Sequence, residues 1–274
     1  MVGMIRGKMS WVSAGMAGFM FCAGMGRGAS LETAVFVDMD GKVWVIEKDR
    51  PIRRAALRSR VVGGSSVKTG DRSRAEMEFQ DRSLVRLGAN AVFAVRPGTR
   101  DLTLEEGALL LQIPKGVGGT TTIHTAGATA AITGTTVIVS ATKGGGFRMI
   151  VLEGVADVRY ANGRRVRCRA GDMTVKKAGA SEPEGPTQID VKGLVGSSLL
   201  VKGFDRQLPS WALIEAVIRI QSEQLATGEI RDTGGYFGTT SMGDRDRIRS
   251  FSRNLKIDDV RDKKPRNITP GPGG

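Results

Sequence analysis

The feature that most constrains this chain is the period of two in its apolar residues from Ala34 to about residue 178. Between Arg74 and Phe79, charged and apolar residues alternate, which places one set of side chains on a single face of an extended segment. Residues 83–87 continue the pattern after a short turn, so the two segments form a predicted hairpin. Similar alternation predicts further strands at 42–47, 91–96, 108–113, 120–125, 128–132, 135–141, 146–152, 155–160, 164–169 and 172–177.

Glycine-rich turns separate these segments. The chain has 38 glycines, several of them clustered at 63–64, 116–119 and 144–146, and Asn162-Gly163 is a strong hairpin signal. Only residues 50–60 suggest a helical stripe before position 190, enough for one short turn. Short strands joined by frequent turns predict an all-β domain over residues 33–178, built as a roll, a sandwich or a solenoid-like stack.

Residues 1–30 have the composition of an export signal. Arg6 and Lys8 precede an uncharged, mostly apolar stretch at 10–25, which is typical of a secretory signal peptide and shorter than the roughly 20 residues of a spanning helix. The alternative is an uncleaved N-terminal anchor. We therefore expect a periplasmic, cell-surface or secreted protein.

The region after the β domain is organised differently. Residues 179–188 have the composition of a linker, and residues 189–228 form an extension that contains a predicted amphipathic helix at 210–227. Ser210 is a candidate N-cap and Gly228 ends the helix. We expect the apolar face of this helix to pack on its own domain rather than on a partner, and residues 229–274 to be a disordered tail.

Three spaced motifs in residues 40–178 resemble the FecR family. The first comprises residues 67–70, 73–77 and 81–90, the second residues 123–126 and 128–139, and the third residues 151–155 and 170–172. One departure is Arg82, which stands where the family has glycine in an Asp-Gly-Ser turn, so this turn is expected to avoid positive φ.

The resemblance implies an exported β domain of an envelope sensor. In that family, a cytoplasmic anti-sigma segment, one membrane span and a periplasmic β domain are joined in one chain. Here fewer than ten residues precede the apolar stretch at 10–25. We therefore expect the exported β module alone, without the sigma-regulating role.

Few residues are suited to catalysis. His124 is the only histidine and lies in a predicted strand, and Cys168 is expected to point inward as a small apolar side chain. Asp101, Glu105 and Glu106 have strand spacing and could act in a carboxylate-dependent hydrolase, although edge-strand solubility is the simpler interpretation. We predict no enzyme activity, no cofactor and no metal site.

The charge balance indicates anionic partners. Lys and Arg outnumber Asp and Glu by 41 to 28, a net charge of +13. Export and the few aromatic residues argue against nucleic acid. Our main hypothesis is a non-catalytic module that binds an envelope protein or an anionic polysaccharide, and the alternative is a signalling or sensor component that acts with a separate membrane partner. The candidate anion-binding residues are Arg53, Arg54, Arg58, Arg72, Arg74, Arg82 and Arg86.

Overall fold

The computed structural model describes residues 29–232 and the backbone of residues 236–239. Most of the predicted export signal and most of the predicted tail therefore lie outside the described residues. The strands are β1 Thr33–Asp40, β2 Val43–Ile46, β3 Arg53–Arg54, β4 Arg60–Val62, β5 Ser66–Thr69, β6 Arg74–Phe79, β7 Leu84–Leu87, β8 Val92–Val95, β9 Asp101–Gln112, β10 Thr121–His124, β11 Ala128–Ile132, β12 Thr136–Ala141, β13 Phe147–Glu153, β14 Val155–Tyr160, β15 Arg165–Arg169, β16 Asp172–Lys176, β17 Glu184–Ile189, β18 Ile230–Asp232 and β19 Tyr236–Thr239. The helices are α1 Val191–Ser197, α2 Leu199–Lys202 and α3 Trp211–Thr227.

The strands pair into two sheets that share β9. The helix-covered sheet is antiparallel and runs in the order β4, β1, β6, β7, β9, β12, β13, β16, β17, β19 and β18. The open sheet runs in the order β3, β2, β5, β8, β9, β10, β11, β14 and β15, and among these pairs only β9 and β10 are parallel.

Strand β9 passes from one sheet to the other at Gly107. Its first half pairs with β8 and β10, and its second half pairs with β7 and β12. Gly107 has φ +91, and a Cβ there would lie 2.5 Å from the Cα of Ala91. Glycine therefore permits both the left-handed backbone and the close approach that joins the two sheets.

The main core lies between the sheets. Alternate residues of the helix-covered sheet, such as Met77 and Val139, pack against inward residues of the open sheet, such as Phe93 and Leu104. All four side chains are fully buried. The alternation predicted from the sequence thus produces a sandwich.

A second core covers the other face of the helix-covered sheet. Leu84, Leu110 and Ile138 point away from the sandwich interior and pack against the helical extension. Ile214 of α3 is fully buried there. The helix that the sequence predicts at 210–227 therefore docks on its own domain, and it ends at Gly228 in the left-handed conformation.

The all-β fold class is confirmed, with local corrections. Residues 50–60 form β3 and turns rather than a helical turn, and the segment predicted as a linker contains β17, which adds to β16. The extension has three helices rather than one. Residues 230–232 and 236–239, predicted to be disordered, pair as strands beside β17, because its free edge accepts their backbone. Within residues 29–232, no helix combines the length and apolar character needed to span a membrane.

Candidate functional site

Arg86, one of the seven predicted anion-binding residues, does not lie on an exposed face. Its side chain is 0% exposed because β7 lies in the sheet whose outer face the extension covers. The prediction that Arg86 contacts an anionic partner is therefore wrong. Its guanidinium serves an internal contact instead.

The other six arginines are not gathered on one sheet face. Arg53 and Arg54 lie on β3 of the open sheet, whereas Arg74 lies on β6 of the other sheet. Most have an acidic partner nearby, so their charge is partly neutralised. The ion pairs are Arg53 with Glu47 at 3.2 Å, Arg72 with Asp71 at 3.8 Å, Arg74 with Asp40 at 2.7 Å and Arg82 with Glu78 at 3.0 Å.

Arg86 ties the extension to the β domain. Its Nε donates to Glu76 Oε2 at 2.6 Å, and its Nη1 donates to the carbonyl oxygens of Leu200 and Val201 at 3.2 and 2.8 Å. Its Nη2 donates to the carbonyl of Arg206. Burial lowers the pKa of Arg86, while Glu76 acts in the opposite direction.

Arg206 completes this contact from the extension. Its guanidinium lies 3.0 Å from Glu76 Oε1, and its Nη1 donates to Glu78 Oε2 at 2.7 Å. The ring of Phe204 lies 4.6 Å from the Arg86 guanidinium. Glu76 is therefore shared by two arginines, and the loop between α2 and α3 is fixed on β6 and β7.

Beside this loop lies a groove of about 430 Å³ between the β domain and the start of α3. Gln112 and Glu153 line its floor, and Thr136 lies between them in the sheet. Thr136 of β12 pairs with Gln112 of β9 on one side and with Glu153 of β13 on the other. All three side chains belong to buried residues. We call the groove above these residues the polar groove.

Glu153 is the unusual member of the polar groove. A chain of hydroxyls runs from Ser210 Oγ through Thr136 Oγ1 to Glu153 Oε1, with distances of 2.8 and 2.9 Å. The side chain is 4% exposed, and burial raises its pKa above that of an ordinary carboxyl group. Oε2 accepts no hydrogen bond from the described residues, and the Nζ of Lys115 is 4.0 Å away. Ser210 thus begins α3 without a side-chain cap bond, because its hydroxyl points to Thr136.

The remaining candidate residues do not converge on a catalytic arrangement. His124 is partly exposed, with Nε2 3.7 Å from Asp101 Oδ1, and Glu106 pairs with Lys143 at 3.3 Å. Asp101 lies where β9 is paired with both β8 and β10, so its assignment to an edge strand is wrong, whereas Glu105 and Glu106 lie beside β8 alone. Cys168 is buried in the main core, and burial raises the pKa of its thiol to about 12.

Comparison with known proteins identifies the central part of the chain. Residues 65–157 match the family described as FecR protein. Two crystal structures of a candidate anti-sigma factor from Parabacteroides distasonis ATCC 8503 are 15% and 14% identical to this chain, with TM-scores of 0.41 and 0.39. Each similarity covers 64% of this chain and 99% of the other.

No curated protein matches the sequence. The family match spans the strands from β5 to β14, which include the Gly107 crossover and the floor of the polar groove. It also covers the first two motifs of the resemblance seen in the sequence and part of the third. Residues 65–157 therefore correspond to a FecR-family domain.

Proposed function

We propose that this protein is an exported signalling component that acts with a separate protein of the cell envelope. The observation that carries the proposal is the FecR match at residues 65–157, since this family is regulatory rather than enzymatic. The apolar stretch at 10–25 supports export. The scattered, ion-paired acidic residues of β9 support binding rather than catalysis as the role of the domain.

The surface best suited to a protein partner is the edge formed by β3, β4 and their connection. We call it the edge patch: Ile52, Leu57 and Val62, which are 65%, 56% and 46% exposed, with Arg54, Arg58 and Arg60 around them. Exposed apolar side chains grouped in this way are typical of interaction sites. Among the described residues, none of these three arginines has an acidic side chain within 4.0 Å.

The backbone of β3 is also available. Among the described strands, β3 pairs only with β2, so its other edge is open for another chain. On β4, in contrast, the Arg60 carbonyl accepts from Arg53 Nη2 and the Val62 carbonyl accepts from the Ser65 N–H. The unpaired arginines favour a partner whose docking segment is apolar and acidic. We therefore assign the edge patch to a protein partner of that chemistry.

Substitution in the native cells tests this proposal. Deleting the protein should change the abundance of a defined set of transcripts, and Leu57→Asp or Arg58→Glu should reproduce the change because each opposes the proposed partner. Ile220→Asp is a matched control, since Ile220 is 53% exposed on α3. Arg72→Glu is the matched charge control, because Arg72 is exposed and has positive φ like Arg58.

Two results would contradict the proposal. Unchanged transcripts after deletion would rule out the signalling role. Equal effects of the Leu57 and Ile220 substitutions would show that the edge patch is not the partner surface. Fractionation of the cells with N-terminal sequencing tests export separately, and recovery of the intact chain from the cytosol would contradict that part.

A further inference from the structure

The polar groove contains two buried acceptors that the protein leaves without donors. Glu153 Oε2 and Gln112 Oε1 each accept no hydrogen bond from the described residues, and both side chains are 4% exposed. An unsatisfied buried acceptor costs free energy, more so when it is charged. Both residues line the polar groove, so a ligand in the groove could supply the missing donors. The volume of about 430 Å³ is within the range of small-ligand sites.

The surroundings select the kind of donor. A metal ion or an amine at Glu153 Oε2 would meet Lys115, whose Nζ is 4.0 Å from that atom. This cation opposes a second positive charge there. Neutral hydroxyl groups carry no such penalty, and a pair of them can donate to a carboxylate and a neighbouring amide oxygen. The floor of the groove is therefore best matched by a polyol.

The rim favours a negative group on the same ligand. Lys115 is 64% exposed and can reach an anion from the solvent side, whereas Arg206 at the same groove is already paired with Glu76 and Glu78. The groove also contacts Ser210, where α3 begins. No acidic residue occupies the first turn of α3, so the positive end of the helix dipole is not neutralised locally. The cationic side chain of Lys115 at the rim and the acceptor oxygens of Glu153 and Gln112 at the floor thus face different parts of one ligand.

We propose that the polar groove binds an acidic saccharide, with sugar hydroxyls donating to Glu153 and Gln112 and the sugar carboxylate facing Lys115. The inference goes beyond the proposed signalling function, because the groove is remote in sequence from the edge patch and would bind its ligand whether or not the chain signals. It gives the chain a small-ligand site at the junction of the FecR-family domain and the extension.

Binding of trigalacturonate to the full chain tests the proposal by titration calorimetry. The matched ligand is the methyl ester of the same trisaccharide, which keeps the hydroxyls and removes the charges. We expect the ester to bind at least about tenfold more weakly than the acid. Glu153→Gln should weaken binding by about tenfold, because a neutral amide oxygen replaces the charged acceptor of the sugar hydroxyl. Lys115→Met should weaken it about three- to fivefold, as expected for an exposed ion pair.

Lys143→Met is the control variant, since Lys143 is 74% exposed and paired with Glu106 away from the groove. Binding of trigalacturonate to this variant should equal that of the unmodified protein. The proposal is overturned if trigalacturonate does not bind, if ester and acid bind equally, or if Lys115→Met has no more effect than Lys143→Met. Lys115 is exposed, so its substitution leaves the fold intact and keeps the test decisive. Loss of ligand binding without loss of the transcript response, or the reverse, separates this proposal from the signalling function.

Discussion

At the residue scale, Arg82 shows how a family turn tolerates an unusual residue. Arginine in place of glycine predicts a turn without positive φ, but Arg82 has φ +66. The turn keeps its geometry because Asp81 Oδ1 accepts a hydrogen bond from the backbone of Ser83, and the Arg82 N–H donates to the Phe79 carbonyl. Asp81 is itself held by Arg100, whose Nη2 is 2.7 Å from Oδ2. The turn is therefore determined by its neighbours, and Arg82 adopts a left-handed conformation that favours glycine.

Replacing Arg82 with glycine should therefore stabilise the protein. We expect Arg82→Gly to raise the free energy of unfolding by about 0.5–1 kcal/mol, because the relief of left-handed strain exceeds the loss of an exposed ion pair. Arg82→Ala removes the same ion pair and keeps the strain, so it should be neutral or slightly destabilising. Urea unfolding measures both variants. Equal midpoints for Gly and Ala would show that the backbone is not strained there.

Glu153 should make stability depend on pH. Burial raises its folded-state pKa above the value in the unfolded chain, so folding favours the protonated form. Its stabilising contribution is therefore full below the unfolded pKa of about 4.5 and is lost as pH rises through the higher folded pKa. Glutamine at this position does not ionise, so the Glu153→Gln variant should not lose this stability as pH rises.

The variant and the unmodified protein should thus diverge as pH rises. We expect similar thermal midpoints in acid and a higher midpoint for Glu153→Gln at neutral pH, measured by circular dichroism without added saccharide. The exposed Glu182→Gln, at 66% exposure, is the control and should not change the pH profile. A neutral-pH midpoint for Glu153→Gln below that of the unmodified protein would contradict the assigned direction.

At the element scale, Gly107 allows one strand to serve two sheets. Gly107→Ala should destabilise the protein by about 2–4 kcal/mol, since it adds left-handed strain and forces a Cβ against the backbone of Ala91. Gly163→Ala is a matched control: Gly163 has φ +87, and an added Cβ there would meet nothing within 4 Å. It should cost only the strain, about 1–2 kcal/mol. Equal unfolding midpoints for the two variants would show that contact with Ala91 is unimportant.

The strands were predictable because their signal is local. In β14 and β15, exposed and buried residues alternate without interruption, so residue type alone reports the face. The helix-covered sheet is different, since all four residues of β7 are buried. Its alternation correctly separates the two faces but does not indicate that the second face is also covered. The alternation alone therefore predicts, wrongly, that Arg86 faces solvent.

The Arg86 contact and the edge patch differ in how far apart their residues lie in the sequence. Leu84 shares a face with Arg86, and an apolar residue beside a charged one was the available sign of a covered surface. Glu76 lies opposite Arg86 in the predicted β6–β7 hairpin. The other partner groups of Arg86 are carbonyls more than 100 residues away, at Leu200, Val201 and Arg206, and no local pattern indicates them. The edge patch, in contrast, lies within residues 52–62 and includes two arginines already predicted as an anionic contact.

At the scale of the whole molecule, the helix-covered sheet belongs to both cores. Its inner face packs in the sandwich and its outer face packs on the extension. Arg86 crosses the boundary, because it lies on β7 and donates to three carbonyls of the extension. Loss of either layer would expose apolar residues of the same strands. We therefore expect the sandwich and the extension to unfold as one cooperative unit.

Two side chains can report the two layers separately. Trp211 is partly buried at the start of α3, and Cys168 is fully buried between the sheets, with its thiol pKa raised to about 12 by burial. In a Trp11→Phe, Trp44→Phe, Cys22→Ser background, Trp211 fluorescence and Cys168 labelling should give the same urea midpoint. Buried thiols react only when the surrounding structure opens.

The Arg86→Met variant gives a stricter test of whether the sandwich and the extension unfold together. It leaves the carboxylate of Glu76 buried with Arg206 as its remaining partner and removes the donor from three carbonyls of the extension, so we expect a loss of about 3–5 kcal/mol. If the molecule is one unit, both midpoints shift together by the same amount, and the exposed Arg58→Met shifts neither. A Trp211 transition that precedes Cys168 labelling in Arg86→Met would show instead that the extension detaches from an intact sandwich.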